Sequence, residues 1–90
     1  MEKVALVTGC SSGIGYETAI ALAKDGYHTF ASMRNTSKGE KLKEFSKNEN
    51  LPLTIIELDV DKEDSIENAV KKIMTDVKRI DVLVNNAGYG

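Results

Sequence analysis

Apolar residues fall along this chain in two alternating kinds of run. Val4-Ala5-Leu6-Val7 is short and unbroken, as in a strand buried on both faces. From Gly13 to Ala23 apolar and polar positions are interleaved. The spacing predicts a helix with Ile14, Thr18, Ala21 and Leu22 on its inner face. Lys24-Asp25-Gly26 stops it, with the glycine where one commonly follows a last turn. Tyr27 to Met33 is rich in aromatic and β-branched residues and predicts a second strand. Ser37 to Lys47 is charged, with Leu42 and Phe45 as an apolar pair, and predicts a short surface helix. Asn48 to Pro52 forms a turn, and Leu53 to Leu58 a third strand. Asp61 then reads as a helix cap, with Glu63 and Asp64 in the first turn, where the helix dipole favours them. Ile66, Ala69, Val70, Ile73 and Val77 follow at steps of three and four. Lys71, Lys72, Lys78 and Arg79 match the negative end of that helix. Asp81 to Val84 leads a fourth strand into Asn85.

The order is β-α-β-α-β-α-β. Strands that alternate with helices imply an α/β architecture with a parallel sheet and right-handed crossovers.

Between the first strand and the first helix stand Gly9, Gly13 and Gly15. An ordinary strand-to-helix turn needs one glycine. A glycine-rich turn at this junction is how dinucleotide-binding folds hold a pyrophosphate against free helix N–H groups. One glycine permits the turn, one lets the backbone approach the phosphates, and one lets helix and strand pack closely. Gly9, Gly13 and Gly15 would take those tasks in that order. Their spacing, G-x-x-x-G-x-G, differs from the G-x-G-x-x-G of the familiar fingerprint. The expected fold is a Rossmann-type sheet of strand order 3-2-1-4, the N-terminal part of a doubly wound domain. Residues 1–90 would form part of one such domain.

Composition narrows the partners. The 90 residues are 41% hydrophobic with a formal charge of −2 and no basic block, so nucleic acid is not an expected partner. Cys10 is the only cysteine, which excludes an internal disulfide and fits a reducing compartment. Met1 to Val4 is not expected to open a signal peptide, since the apolar run is too short, and no apolar stretch approaches the ~20 residues of a membrane helix. A cytoplasmic protein without membrane contact is expected. No spacing of Cys or His fits a metal site. Cys10 reads as a small filler of the glycine loop, and His28 as a surface or edge residue of the second strand.

Three motifs resemble the short-chain dehydrogenase/reductases. "TGCSSGIG" (Thr8 to Gly15) is similar to that family's T-G-x-x-x-G-I-G, "NNAG" (Asn85 to Gly88) to its second signature, and "LDV" (Leu58 to Val60) to the segment beside the adenine ring. The resemblance implies that the backbone at Gly9, Ser11, Ser12, Gly13, Ile14 and Gly15 wraps the cofactor's phosphates and ribose. It implies that Asp59 bonds the adenine amino group with the Val60 N–H beside it. Asn86 would lie along the adenosine ribose, and Ala87 and Gly88 would border the cleft. Asp59 also reads as a strand-end aspartate capping a turn, and Asn85 and Asn86 as amides that tie loops together.

The second strand should end near that ribose, where NAD-dependent enzymes place a carboxylate. Counting from the glycines puts Met33 there, followed by Arg34. Arg34 suits a 2′-phosphate in fork geometry, with Ser32 and Lys38 assisting, so NADP is expected ahead of NAD. Many NADP-using relatives carry a further basic residue where this chain has Ser12, which leaves Arg34 acting largely alone.

The family's chemistry uses a serine and a Tyr-x-x-x-Lys pair. Here Tyr16 is followed four residues on by Ile20 and Tyr27 by Ala31, and Tyr89 is penultimate. No catalytic residue is therefore expected within the chain. It is expected to be the N-terminal segment of a longer, homo-oligomeric oxidoreductase. Such an enzyme would move hydride between a nicotinamide and a small-molecule carbonyl or alcohol. "TGCSSGIG" with "ASMRN" resembles the hydroxysteroid and retinol dehydrogenase branch. A non-catalytic dinucleotide-binding or interaction module is the alternative.

Overall fold

The computed structural model describes residues 3–11 and 13–86. Its elements are β1 (Val4–Val7), α1 (Gly13–Lys24), β2 (His28–Met33), a single 3-10 turn (Thr36–Gly39), α2 (Glu40–Asn48), β3 (Leu53–Glu57), α3 (Glu63–Asp76) and β4 (Val82–Val84). The four strands are all parallel, in the order β3-β2-β1-β4. The expected 3-2-1-4 order is thus the observed one.

Side-chain alternation sorts the sheet into two packed faces. Val4, Leu6, Phe30 and Ile56 point to one side and meet Ala69 and Ile73 of α3. Val7, Ala31 and Met33 point to the other and meet Ala19 of α1 and Leu42 of α2. The central strands serve both layers, which is why β1 is an unbroken apolar run, buried at every position.

Three local expectations change. The inner face of α1 is Gly15, Ala19 and Ala23, while Ile14 and Ala21 are exposed. This helix carries apolar residues all round, so periodicity alone does not choose a face. Side-chain size does: a stripe of the smallest residues lets the helix lie close on the sheet. The charged segment after β2 is a 3-10 turn followed by α2, with Asn35 accepting the Ser37 N–H at 3.0 Å as its cap. In α3 the cap position belongs to Lys62, without a side-chain hydrogen bond, and Asp61 turns elsewhere. The helix ends at Asp76 with no basic residue in its last turn, and Lys78 adopts a left-handed conformation (φ 61).

Arg79 and Asp81 instead lash the edge of the sheet together. The Asp81 carboxylate accepts Arg79 Nε at 2.8 Å and the Val4 N–H at 2.8 Å, while the Asp81 N–H donates to Val4 O at 2.8 Å. The Arg79 hydrogen bond, and then that of Val4, hold the Asp81 carboxyl down at about 2. A carboxyl depressed on folding stabilises the fold above its unfolded pKa, and the contribution disappears as pH falls through the folded value. Asp81→Asn should therefore lower the thermal midpoint at pH 7. The gap to the parent protein should close between about pH 4 and pH 2 in melts followed by circular dichroism. A gap independent of pH would assign the effect to something other than this carboxylate.

Candidate functional site

Because all four strands run the same way, their C-terminal ends share one edge of the sheet. Thr8 and Gly9 leave β1 there, Arg34 leaves β2, Leu58 and Asp59 follow β3, and Asn85 and Asn86 follow β4. This is the edge at which open α/β sheets bind their ligands.

The turn off β1 is built by backbone geometry. Gly9 and Gly13 both have positive φ (68 and 65), a region that side chains disfavour. Gly15 has a different task. A Cβ there would run into the Gly9 carbonyl and stand 2.8 Å from Asn86 Nδ2. The third glycine thus brings α1 against both the turn and the end of β4. The Cys10 N–H donates to Ser32 O at 3.0 Å, pinning the turn to β2. Ser11 is exposed, and the expected phosphate-loop residue Ser12 lies outside the described residues.

Thr8 joins the two glycine- and asparagine-bearing segments. Its hydroxyl oxygen accepts the Asn86 N–H at 2.8 Å, and its proton faces Asn85 Oδ1 at 3.2 Å and Val84 O at 3.5 Å. The Thr8 N–H donates to Val84 O at 3.0 Å. The Asn85 side-chain amide takes part in this link, whereas Asn86 joins it through its backbone N–H. Ala87 and Gly88 lie outside the described residues.

Asp59 opens a turn. Its carboxylate accepts the Asp61 N–H at 3.0 Å, its carbonyl accepts the Lys62 N–H at 3.0 Å, and its own N–H donates to Ser65 Oγ at 2.8 Å. The side chain of Val60 packs against the core on the α3 face. Arg34 reaches across to this turn, with Nη2 3.1 Å from Asp61 Oδ2 and Nε 3.7 Å from Asp59 Oδ2. Its side chain remains 71% exposed. Arg34, Asp59 and Asp61 therefore form one corner, a grouping that sequence reading missed. The signal was present in the D-x-D spacing after β3, which places the second aspartate two residues into an aspartate-initiated turn.

Met33 does not face the site. It is only 2% exposed and packs among Val7, Ala31 and Leu42. A Cβ on Gly39 would stand 2.8 Å from its Sδ. The residue that ends β2 points into the core by strand alternation, and the next one, Arg34, emerges at the edge. A Met33→Asp exchange would bury a carboxylate rather than offer one to a ribose. Ser32 is also engaged, its hydroxyl donating to Val7 O at 3.0 Å.

Cys10 is fully buried, with Sγ donating to Val7 O at 3.1 Å. Burial pushes its thiol up to about 12, despite a hydrogen bond with the Ser32 backbone. It fills the loop, as expected. His28 is half-buried on β2, stacked on Phe30 with its Nε2 3.3 Å from Thr54 Oγ1.

These residues fit a dinucleotide. The first turn of α1 contains no acidic side chain, and the Cβ position of Gly13 faces open space. Ile14 is 74% exposed beside it, and a cation stands at the end of β2. A groove of about 480 Å³ lies elsewhere, between Glu40 and Lys43 of α2 and Leu53 and Ile55 of β3, and shares no residue with this edge. Among the described residues there is no cluster suited to a metal ion, and no helix is long and apolar enough to cross a membrane.

The short chain dehydrogenase family model matches residues 3–90. Retinol dehydrogenase 8 of Homo sapiens is 43% identical over 98% of this chain and 29% of its own length. The 3-oxoacyl-(acyl-carrier-protein) reductase FabG of Staphylococcus epidermidis is 37% identical over 98% of this chain and 36% of its own. An actinorhodin polyketide ketoreductase solved with NADPH superimposes with a TM-score of 0.89 at 34% identity, covering 97% of this chain and 33% of that one. The chain thus spans about a third of the length of the relatives it matches.

Two outcomes follow from this geometry. Thr8→Val should cost about 1 kcal/mol of stability, because the part-buried Asn86 N–H loses its acceptor. Thr8→Ser should restore most of it, as read from denaturant midpoints. The Cys10 thiol should resist alkylation by iodoacetamide in the native protein at pH 8 and react promptly in denaturant.

Proposed function

The chain belongs to the short chain dehydrogenase family, and on that premise we propose that it holds the cofactor of an NADP-dependent oxidoreductase acting on a carbonyl or alcohol. The observation that carries the reading is the meeting of four elements at one sheet edge. These are the glycine turn, the Thr8 link to Asn85 and Asn86, the Asp59 turn, and Arg34. Bound NADPH would supply the hydride for reduction of a carbonyl.

The residues present have binding work to do. The turn from Gly9 to Gly15 receives the pyrophosphate against the first N–H groups of α1, where the helix dipole favours an anion. Ile14, exposed at that end, offers apolar cover. The Asp59 carboxylate accepts from the adenine amino group, with the Val60 N–H beside it. Asn86, whose backbone N–H bonds to Thr8, lines the adenosine ribose. Arg34 pairs with the 2′-phosphate. What supports NADP over NAD is that Arg34 is the exposed side chain at the end of β2 and no carboxylate occupies positions 33 or 34. The ketoreductase solved with NADPH supports the same choice. Residues 1–90 are in this reading one part of a larger Rossmann domain. Homo-oligomeric assembly and a cytoplasmic location belong to the same proposal.

The test is a titration of NADPH and NADH against the full-length gene product, followed by nicotinamide fluorescence. Arg34→Ala should weaken NADPH about ten- to a hundredfold, the worth of one charge-assisted bond of about 1.5–3 kcal/mol, and leave NADH nearly unchanged. Equal losses for the two cofactors would remove the basis for NADP. Failure of a folded protein to bind either would end the oxidoreductase reading.

A further inference from the structure

Arg34 is not a free cation waiting for an anion. Its guanidinium already contacts two carboxylates, Asp61 at 3.1 Å and Asp59 at 3.7 Å. The two carboxylates differ in how they are held. Asp59 is 17% exposed at its side chain, and one of its oxygens is committed to the Asp61 N–H. Asp61 is 76% exposed at its side chain, and its Oδ2 meets Arg34 Nη2. The three groups in contact sum to a charge of −1. An arriving phosphate would therefore meet a corner that is slightly anionic despite its arginine.

We propose that Asp61 is a specificity-determining residue that restrains the preference for a 2′-phosphorylated dinucleotide by competing for Arg34. The inference rests on the reading of Arg34 given above. In the free protein Asp61 engages Nη2, one of the guanidinium donors that a phosphate would use. In the loaded protein it stands as a second anion beside that phosphate. Both effects act against NADPH and neither touches NADH, which has only hydroxyls at this position. The turn does not depend on the Asp61 side chain, because the hydrogen bonds that shape it run through the Asp61 N–H, the Asp59 carbonyl and Ser65. Neutralising Asp61 therefore releases Arg34 Nη2 without unmaking the loop that presents it, while Asp59 stays 3.7 Å from Nε.

The experiment measures Kd for NADPH and NADH on the full-length gene product and on Asp61→Asn, Arg34→Ala and the double variant, at low and at high salt. Asp61→Asn should tighten NADPH by about two- to fivefold, the range in which exposed ion pairs fall, with NADH unchanged. The gain should shrink in 0.5 M salt, where exposed charges are screened, and should be largely lost in the Arg34→Ala background. Matching thermal melts establish that the variants are folded. An unchanged ratio of the two affinities, or a weakened NADPH, overturns the proposal, the latter by making Asp61 a support for Arg34. If Arg34→Ala lowers NADPH affinity while Asp61→Asn does not raise it, this inference alone falls. If Arg34→Ala has no effect on NADPH, the NADP assignment falls and the competition falls with it.

Discussion

Close approach between α1 and the turn that leaves β1 governs most of what lies at the sheet edge. Gly15 rests on the Gly9 carbonyl with no room for a methyl group, and the side-chain amide of Asn86 lies against the same point. That contact sets how far the helix N-terminus stands from the strand. It requires small residues one and two turns further on, at Ala19 and Ala23, so that the rest of the helix can follow the sheet. It also brings the end of β4 to the turn, where the Thr8 hydroxyl completes the link. A bulkier residue at 15 would lift the helix, open the Thr8 connection and move the free N–H groups away from where a ligand would lie.

The fold was legible because parallel strands buried on both faces leave unmistakable apolar runs. Val4 to Val7 and the core of Tyr27 to Met33 needed no tertiary information, and alternation with helices then determined the topology. Of the candidate site, the sequence yielded the glycines of the turn, the asparagines after β4, and Arg34 and Asp59 singly, but not the contact between those last two. The inner face of α1 was not legible, since its apolar residues surround the helix and the choice among them is made by the sheet. Met33 was misplaced for a similar reason. Counting along a strand finds its last residue, but the parity of the strand decides whether that residue faces the ligand edge or the core. The Arg34 contacts join residues separated by 25 or more positions and arise from β2 and β3 lying side by side, which no local pattern records.

The two ends of the parallel strands use charge in opposite ways. Where β1 and β4 begin, the Arg79–Asp81 pair and the Val4 backbone satisfy one another within a small group, and the carboxyl is driven to low pKa. Where β2 and β3 end, one guanidinium is shared between two carboxylates and stays largely in water. The first arrangement is saturated and structural. The second retains an exposed donor face.

The order of the strands in space also has a consequence for synthesis on the ribosome. β1 emerges first and occupies the middle of the sheet, yet one of its edges waits for β4, whose Asp81 lies 77 positions after Val4. At about 5–20 residues per second, that edge of a wholly apolar strand stays unmatched for roughly four to fifteen seconds of translation. During that interval Val4 to Val7 exposes an unpaired strand edge, and a pause placed before β4 would lengthen that exposure.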